Sequence, residues 1–126
     1  MKKSIFVAMA AVMLVAVMFA SCAGSNSPSG VVKSFYSSMK SGNVEKAVGY
    51  LNVDEERAAQ LVTKYQQMLE RGNATAELFR KGDVSILSED VNGEEADVEV
   101  SVEIEGVAIQ QSHHLTSVDG EWKIEE

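Results

Sequence analysis

The stretch Ala96-Asp97-Val98-Glu99-Val100-Ser101-Val102-Glu103-Ile104 decides the fold. Every even position in it is apolar and every odd position is polar. Because successive side chains of a β-strand point to opposite faces, this alternation predicts a half-buried antiparallel strand. One face of the sheet is therefore expected to cover a core, while the acidic face is solvated and discourages stacking of sheets.

Three further strands are predicted around this one. Residues 84–89 precede it, residues 107–118 follow it, and residues 121–125 come last. Asn-Gly and Asp-Gly are strong hairpin signals, because their residues adopt positive φ more easily than most. The predicted turns are Asn92-Gly93, Glu105-Gly106 and Asp119-Gly120. The sequence thus predicts a meander of about four strands.

Turn length sets the register and so identifies the inner face. Two-residue loops at the second and third turns pair Ile104 with Val107 and Val118 with Glu121. Gln111 and His113 then interrupt an otherwise apolar face, unless a β-bulge moves one of them out and His114 in. Glu89 points inward only if Asn92-Gly93 is a two-residue loop. The predicted apolar inner face is Val98, Val100, Val102, Ile104, Val107, Ile109, Leu115, Trp122 and Ile124.

Helices are predicted before the strands. Apolar residues at three- and four-residue steps mark a first helix from Pro28, capped by Ser27, and a short second helix capped by Asn43. A third, longer helix follows Asp54 and ends at Gly72. Residues 74–80 form at most a turn or two more. Helices followed by a meander predict an α+β fold with three N-terminal helices packed on a curved antiparallel sheet.

The amino terminus has the layout of a bacterial lipoprotein signal peptide. Lys2 and Lys3 precede sixteen apolar or small residues, and the run ends at Ser21-Cys22. A membrane-spanning helix usually needs about 20 apolar residues, so cleavage is favoured over an uncleaved anchor. Phe19 stands where such signals usually carry leucine. The predicted division is a signal peptide over 1–21, a lipidated Cys22 with a tether over 22–30, and one domain over 31–126.

Composition limits the partners. The full chain of 126 residues has a formal net charge of −8, with 19 acidic and 11 basic residues. Nucleic-acid binding is not expected, since it needs clustered lysine and arginine. Cys22 is the only cysteine, which excludes an internal disulfide. We expect attachment to the cell envelope through lipid on Cys22, in the outer membrane because no aspartate follows that cysteine.

Three segments carry a resemblance to a known family. They are residues 31–36, residues 42–47 and the ending Asp119-Gly120-Glu121-Trp122-Lys123-Ile124. With the order of helices and strands, they resemble the nuclear transport factor 2-like superfamily, also called cystatin-like or ketosteroid-isomerase-like. More narrowly, the chain resembles small lipoproteins of unknown function from gut Bacteroidota. The resemblance implies a cone-shaped fold with a cavity between sheet and helices, and it implies no catalytic residue.

Motifs of catalysis or cofactor binding are missing from the sequence. It has no glycine-rich phosphate loop, no nucleophile elbow and no His-Glu-x-x-His, and no cofactor or metal is expected. His113 and His114 are adjacent in a strand, so they point to opposite faces and cannot share a metal. The predicted cavity residues are His113, Gln111, Tyr36, Tyr65 and Trp122.

Two classes of function follow from the predicted cavity. In the first, the protein binds a small apolar ligand or a protein partner without catalysis. In the second, it is an isomerase, dehydratase or hydrolase that uses His113 as a general base. His113 could equally be structural, hydrogen-bonded to Gln111, a tyrosine or a backbone carbonyl. The inner face lacks a carboxylate in the three strands of defined register, and we therefore expect binding.

Overall fold

A computed structural model describes residues 27–126. The order of elements is four helices and then four strands. The leader, Cys22 and most of the tether lie outside the described residues. The helices are α1 (Pro28–Lys40), α2 (Val44–Val48), α3 (Glu55–Arg71) and α4 (Ala74–Lys81). The strands are β1 (Asp83–Asn92), β2 (Glu95–Ile104), β3 (Val107–Val118) and β4 (Glu121–Ile124).

Side-chain caps begin all four helices. Ser27 accepts a hydrogen bond from the Gly30 amide, and Pro28 occupies the first turn, as predicted for α1. Residues 28–30, which the sequence assigns to both tether and helix, are helical. Asp54 caps α3, and Gly72 ends it in the left-handed conformation with φ of 70°. Asn73 caps α4, so the weak helical signal at residues 74–80 is a true fourth helix and the prediction of three is one short.

The four strands form one antiparallel sheet in the order β1-β2-β3-β4. The β2–β3 register is as predicted: Val98 pairs with His113, and Val100 pairs with Gln111. The β3–β4 register is also confirmed, because Ser117 pairs with Trp122. No register shift interrupts β3, so His113 stays on the inner face.

The β1–β2 hairpin differs from the prediction in two ways. The turn residues are Gly93 and Glu94, because Asn92 pairs with Glu95 as the last residue of β1. Gly93 has φ of 68° and is the first central residue, as a type II′ turn requires. The register also shifts between Ile86 and Ser88, which marks a β-bulge.

The register that runs from the turn places Glu89 on the inner face. This residue pairs with Val98 and therefore shares the inner face, although the Asn92-Gly93 loop that the prediction required is absent. Its side chain is exposed and accepts a hydrogen bond from the Ser29 amide at 2.9 Å. Glu89 thus holds the start of α1 and does not line the cavity described below.

The core lies between the sheet and α1, which packs against β1, β2 and β4, while α3 packs chiefly on α2 and α4. Val98, Val100, Val102 and Leu115 have no exposed surface. Gly82, between α4 and β1, has no space for a side chain, since a Cβ would collide with Val102 and the Leu78 carbonyl.

The far end of the inner face is not covered by helices. Val107 is 62% exposed and Ile109 is 39% exposed, although both have the predicted register. Ile104 and Trp122 are half-buried. The predicted apolar residues of the inner face point in the expected direction, but at this end they are not all buried, because the β2–β3 hairpin extends past the helices.

Candidate functional site

An open cavity lies between the sheet and the helices. Its volume is about 540 Å³, and α1, α3, α4, β3 and the carboxyl-terminal end supply its walls. Clefts that hold small ligands usually measure roughly 300–1,000 Å³. The cavity is therefore large enough for a small organic molecule.

Four of the five predicted cavity residues meet here. Tyr36 comes from α1, Tyr65 from α3, and Gln111 and His113 from β3. Trp122 does not line the cavity. It pairs with Ser117 on β4 and packs against the core as a half-buried ring. Proximity to the inner face therefore did not suffice to predict a cavity position for Trp122.

Tyr36 and His113 form the central polar contact of the cavity. The Tyr36 hydroxyl lies 2.8 Å from His113 Nε2, and the two rings meet edge-to-face with centroids 5.5 Å apart. Burial raises the pKa of Tyr36 to about 12, so the phenol stays protonated. Burial also lowers the pKa of His113, so the imidazole is neutral near pH 7. A protonated phenol and a neutral imidazole can form this hydrogen bond in either direction, and the tautomer of His113 decides which group donates.

Gln111 has no such internal partner. Its side chain is half-buried and lines the cavity two residues from His113 on the same face of β3. Within residues 27–126 its amide makes no hydrogen bond to protein. An unsatisfied buried amide costs about 1–3 kcal/mol, so this group is satisfied by whatever fills the cavity, water included.

Aromatic rings make the apolar wall. Phe79 of α4 lies against Tyr36 with centroids 5.7 Å apart, and Phe35 meets Tyr36 edge-on at the same separation. The prediction gave residues 74–80 a turn or two of helix but did not place Phe79 at the cavity. The available signal was the apolar pair Leu78 and Phe79 between the charged residues Glu77 and Arg80.

Two acidic residues at the carboxyl terminus also border the cavity, although the Glu125 carboxylate interacts with Thr116 and His114 on the other face of the sheet. Glu126 is bound by the Arg57 guanidinium, whose Nε lies 3.1 Å from Oε1, and this hydrogen bond lowers the pKa of Glu126. Glu125 accepts a hydrogen bond from the Asn52 amide at 2.9 Å, which lowers its pKa. Both are therefore ionised and neither is a proton donor at neutral pH.

The sequence did not indicate these two acids as site residues. They follow the last strand, and their position depends on a tertiary contact. The backbone N–H of Asn52 donates a hydrogen bond to the Ile124 carbonyl at 2.8 Å, which holds the end of β4 beside the loop between α2 and α3. Glu126 also raises the pKa of Tyr65, though burial of that ring is the larger cause.

The opposite face of β3 carries a second polar cluster. His114 Nδ1 lies 2.9 Å from Asp97, and Nε2 lies 2.9 Å from Glu95. These hydrogen bonds, the one to Asp97 first, raise the pKa of His114. The two histidines thus point to opposite faces as predicted. In the part of the chain that the structure describes, no cluster of histidine, cysteine or acidic residues suits a metal ion.

The helices of residues 27–126 are all too short or too polar to cross a membrane.

Comparison with solved structures supports the fold. A protein from Campylobacter jejuni, described as a candidate nuclear transport factor 2-like transpeptidase, has a TM-score of 0.55 and 17% identity, with 79% of this chain and 97% of that chain covered. A de novo designed protein of the nuclear transport factor 2 fold, NT-9, has a TM-score of 0.50 and 16% identity, with 76% and 79% covered. At these identities the likeness shows the fold alone.

No curated protein matches the chain significantly. A family model does match, over residues 20–125, and its description is "Domain of unknown function (DUF4878)". That match spans all eight elements of secondary structure. The chain belongs to the DUF4878 family and has a nuclear transport factor 2-like fold.

Proposed function

We propose that this protein is a lipid-anchored protein of the cell envelope that binds a small, largely apolar molecule without converting it. The observation that carries the proposal is the open cavity of about 540 Å³, with aromatic rings on one wall and Gln111 and His113 on the other. Pockets that are mostly apolar with a few convergent polar groups are the usual form of ligand sites.

The state of the polar groups favours binding over catalysis. A general base must reach its substrate with an unprotonated nitrogen. Nε2 of His113 is occupied by the Tyr36 hydroxyl, and we propose that Nδ1 carries the ring proton. Hydrogen bonds lower the pKa of Glu125 and Glu126, so neither is a proton donor near pH 7 and both are weak bases. The enzyme alternative would need substrate to displace one of these contacts. The transpeptidase description belongs to the Campylobacter protein and is not extended to this chain.

The anchor is proposed from the leader and Cys22. The described fold begins at Ser27, so only residues 23–26 separate the cysteine from the capped start of α1. Acyl chains on Cys22 would hold the domain close to the bilayer, at about 0.8 kcal/mol per buried methylene. The resemblance to small lipoproteins of Bacteroidota supports the same arrangement, and the absence of aspartate at position 23 supports the outer membrane.

Cavity binding is tested by mass spectrometry of small molecules that co-purify with the protein. Thr75 is exposed and lines the cavity, so Thr75→Trp should fill the opening and remove the bound molecule. Glu77→Trp places the same ring on α4 outside the cavity and should retain it. Equal occupancy in both variants would show that the molecule binds elsewhere.

Anchoring is tested by partition between detergent and aqueous phases. The wild type should enter the detergent phase, and Cys22→Ala should lose the acyl chains and a mass corresponding to them. Ser25→Ala, three residues on, is the matched control and should behave as wild type. A wild type without acyl mass would exclude the lipoprotein proposal and leave cavity binding intact.

A further inference from the structure

We infer that the cavity selects an uncharged molecule with an apolar body and one hydrogen-bond acceptor, which the Nδ1–H group of His113 binds, and that it rejects carboxylate-bearing counterparts. This inference rests on the proposed function and names the class of ligand for the same site. Three observations carry it: the polarity of the His113 ring, the free amide of Gln111 and the charge around the opening.

The first observation is the contact of the Tyr36 hydroxyl with His113 Nε2 at 2.8 Å. The inference includes the direction of this hydrogen bond: the phenol donates to Nε2, and the neutral ring carries its own proton on Nδ1. Nδ1 has no hydrogen-bond partner among residues 27–126, while the ring lines the cavity. A donor held without an acceptor in a half-buried wall favours a ligand that brings one.

The second observation is the spacing of the polar groups. Gln111 and His113 are two residues apart on one strand face, hence about 7 Å apart along the wall. The Gln111 amide is free of protein partners in the described chain, and it can donate or accept. The Gln111 amide can therefore bind a donor group or an acceptor group of a ligand, so the selection of an acceptor depends on His113.

The third observation is electrostatic. No lysine or arginine lines this cavity, although its edge carries Glu125 and Glu126. At that edge Arg57 already pairs with Glu126. A ligand carboxylate would therefore be desolvated in the cavity with no cation on its wall to pair it, which is strongly unfavourable. An uncharged acceptor avoids that cost.

The inference is tested with three naphthalenes of similar size that differ in one substituent: 2-acetylnaphthalene, 2-ethylnaphthalene and 2-naphthoate. Binding is measured by fluorescence on the full-length acylated protein in nanodiscs of zwitterionic lipid. The Thr75→Trp protein in the same discs is the blank, and its signal corrects for partition into lipid. The ketone should bind roughly fivefold tighter than the ethyl compound, as one neutral hydrogen bond predicts, and naphthoate should bind most weakly.

Variants then locate the donor. His113→Leu should lose the preference for the ketone over the ethyl compound, measured as the ratio of the two dissociation constants in the same variant. Gln111→Leu should keep that preference. A measurement on the wild type does not depend on any variant folding: ¹⁵N NMR should show His113 with Nδ1 protonated and Nε2 as acceptor.

The outcomes separate the two proposals. If the ethyl compound or naphthoate binds as tightly as the ketone, or if the NMR shows the proton on Nε2, the inference about selection is overturned and cavity binding stands. If none of the three binds above the Thr75→Trp blank, cavity binding itself is wrong and the inference falls with it.

Discussion

His113 and His114 are adjacent in the chain, but their surroundings shift their pKa values in opposite directions. His113 faces the cavity, where burial lowers its pKa and the Tyr36 hydroxyl contacts one of its two ring nitrogens. His114 faces water, where Asp97 and Glu95 hold both ring nitrogens at 2.9 Å and raise its pKa. The comparison shows that the face of β3 on which a histidine lies decides whether its pKa is lowered or raised.

The same contrast between faces predicts the largest effect for β2. Val100 is fully buried on the inner face, so Val100→Asp would bury an unpaired charge and should prevent folding. Glu99, its neighbour on the exposed face, should tolerate Glu99→Lys with a change within about 0.5 kcal/mol. Thermal unfolding followed by circular dichroism measures both. Similar melting losses would contradict the assignment of faces.

The cavity side of the comparison depends on Tyr36. Tyr36→Phe removes the hydroxyl that hydrogen-bonds His113 Nε2 and leaves that nitrogen half-buried without a partner, which should cost about 1–3 kcal/mol of unfolding free energy. Tyr50→Phe is the control, since no hydrogen bond of the Tyr50 hydroxyl exists in the described chain. Urea midpoints measure the difference. If Tyr50→Phe lowered the unfolding free energy as much as Tyr36→Phe, the loss of stability could not be attributed to the hydrogen bond with His113.

The two histidines should also give stability opposite dependences on pH. The lowered pKa of His113 means that its contribution is present above the ordinary value of 6.5 and is lost as pH falls below it. The raised pKa of His114 means that its contribution is present below 6.5 and is lost as pH rises through the folded-state value. NMR titration of the two ring C–H signals should therefore find His113 titrating below 6.5 and His114 above it.

His114→Gln isolates the exposed side of this pair. The wild type should exceed this variant in melting temperature most at pH 5.5, and the difference should shrink by pH 8. If the difference in melting temperature grew with pH, the stabilisation of protonated His114 by Asp97 and Glu95 would be refuted.

The smallest effect is expected where the inner face leaves the helices. Val107 shares the inner face but is 62% exposed, so Val107→Thr should change the unfolding free energy by less than about 0.5 kcal/mol. Val102→Thr, on the same face at 0% exposure, would bury a hydroxyl and should cost about 1–3 kcal/mol. Equal effects in chemical denaturation would show that the hairpin end is covered.

Local signals made most of the fold predictable. The β2–β3 and β3–β4 registers followed from strict alternation and from two dipeptide turns in which both residues have positive φ, Glu105-Gly106 and Asp119-Gly120. Ser27, Asn43 and Asp54 marked helix starts because their side chains cap the free amides there. Each of these signals acts within a few residues of the structure that it determines.

Features set by the packing of whole elements were not predictable in this way. Alternation shows which way Val107 and Ile109 point, but the reach of the helices decides whether anything covers them. The bulge at Leu87 could not be predicted, because no glycine or other turn-forming residue marks it in the sequence. In the site, a polar residue on an apolar face signalled that His113 needs a partner, yet the choice of Tyr36 depends on how α1 crosses the sheet.

The hydrogen bond between the Ser29 amide and Glu89 has a mechanical consequence. If Cys22 anchors the protein as proposed, a pull on the chain would reach the start of α1 first, and this contact ties that start to β1, at the edge of the sheet. The same helix carries Phe35 and Tyr36, while the partner of Tyr36 lies on β3. Such a pull would act on one wall of the cavity, and the hydrogen bond from Ser29 to Glu89 would share the load with the one between Tyr36 and His113.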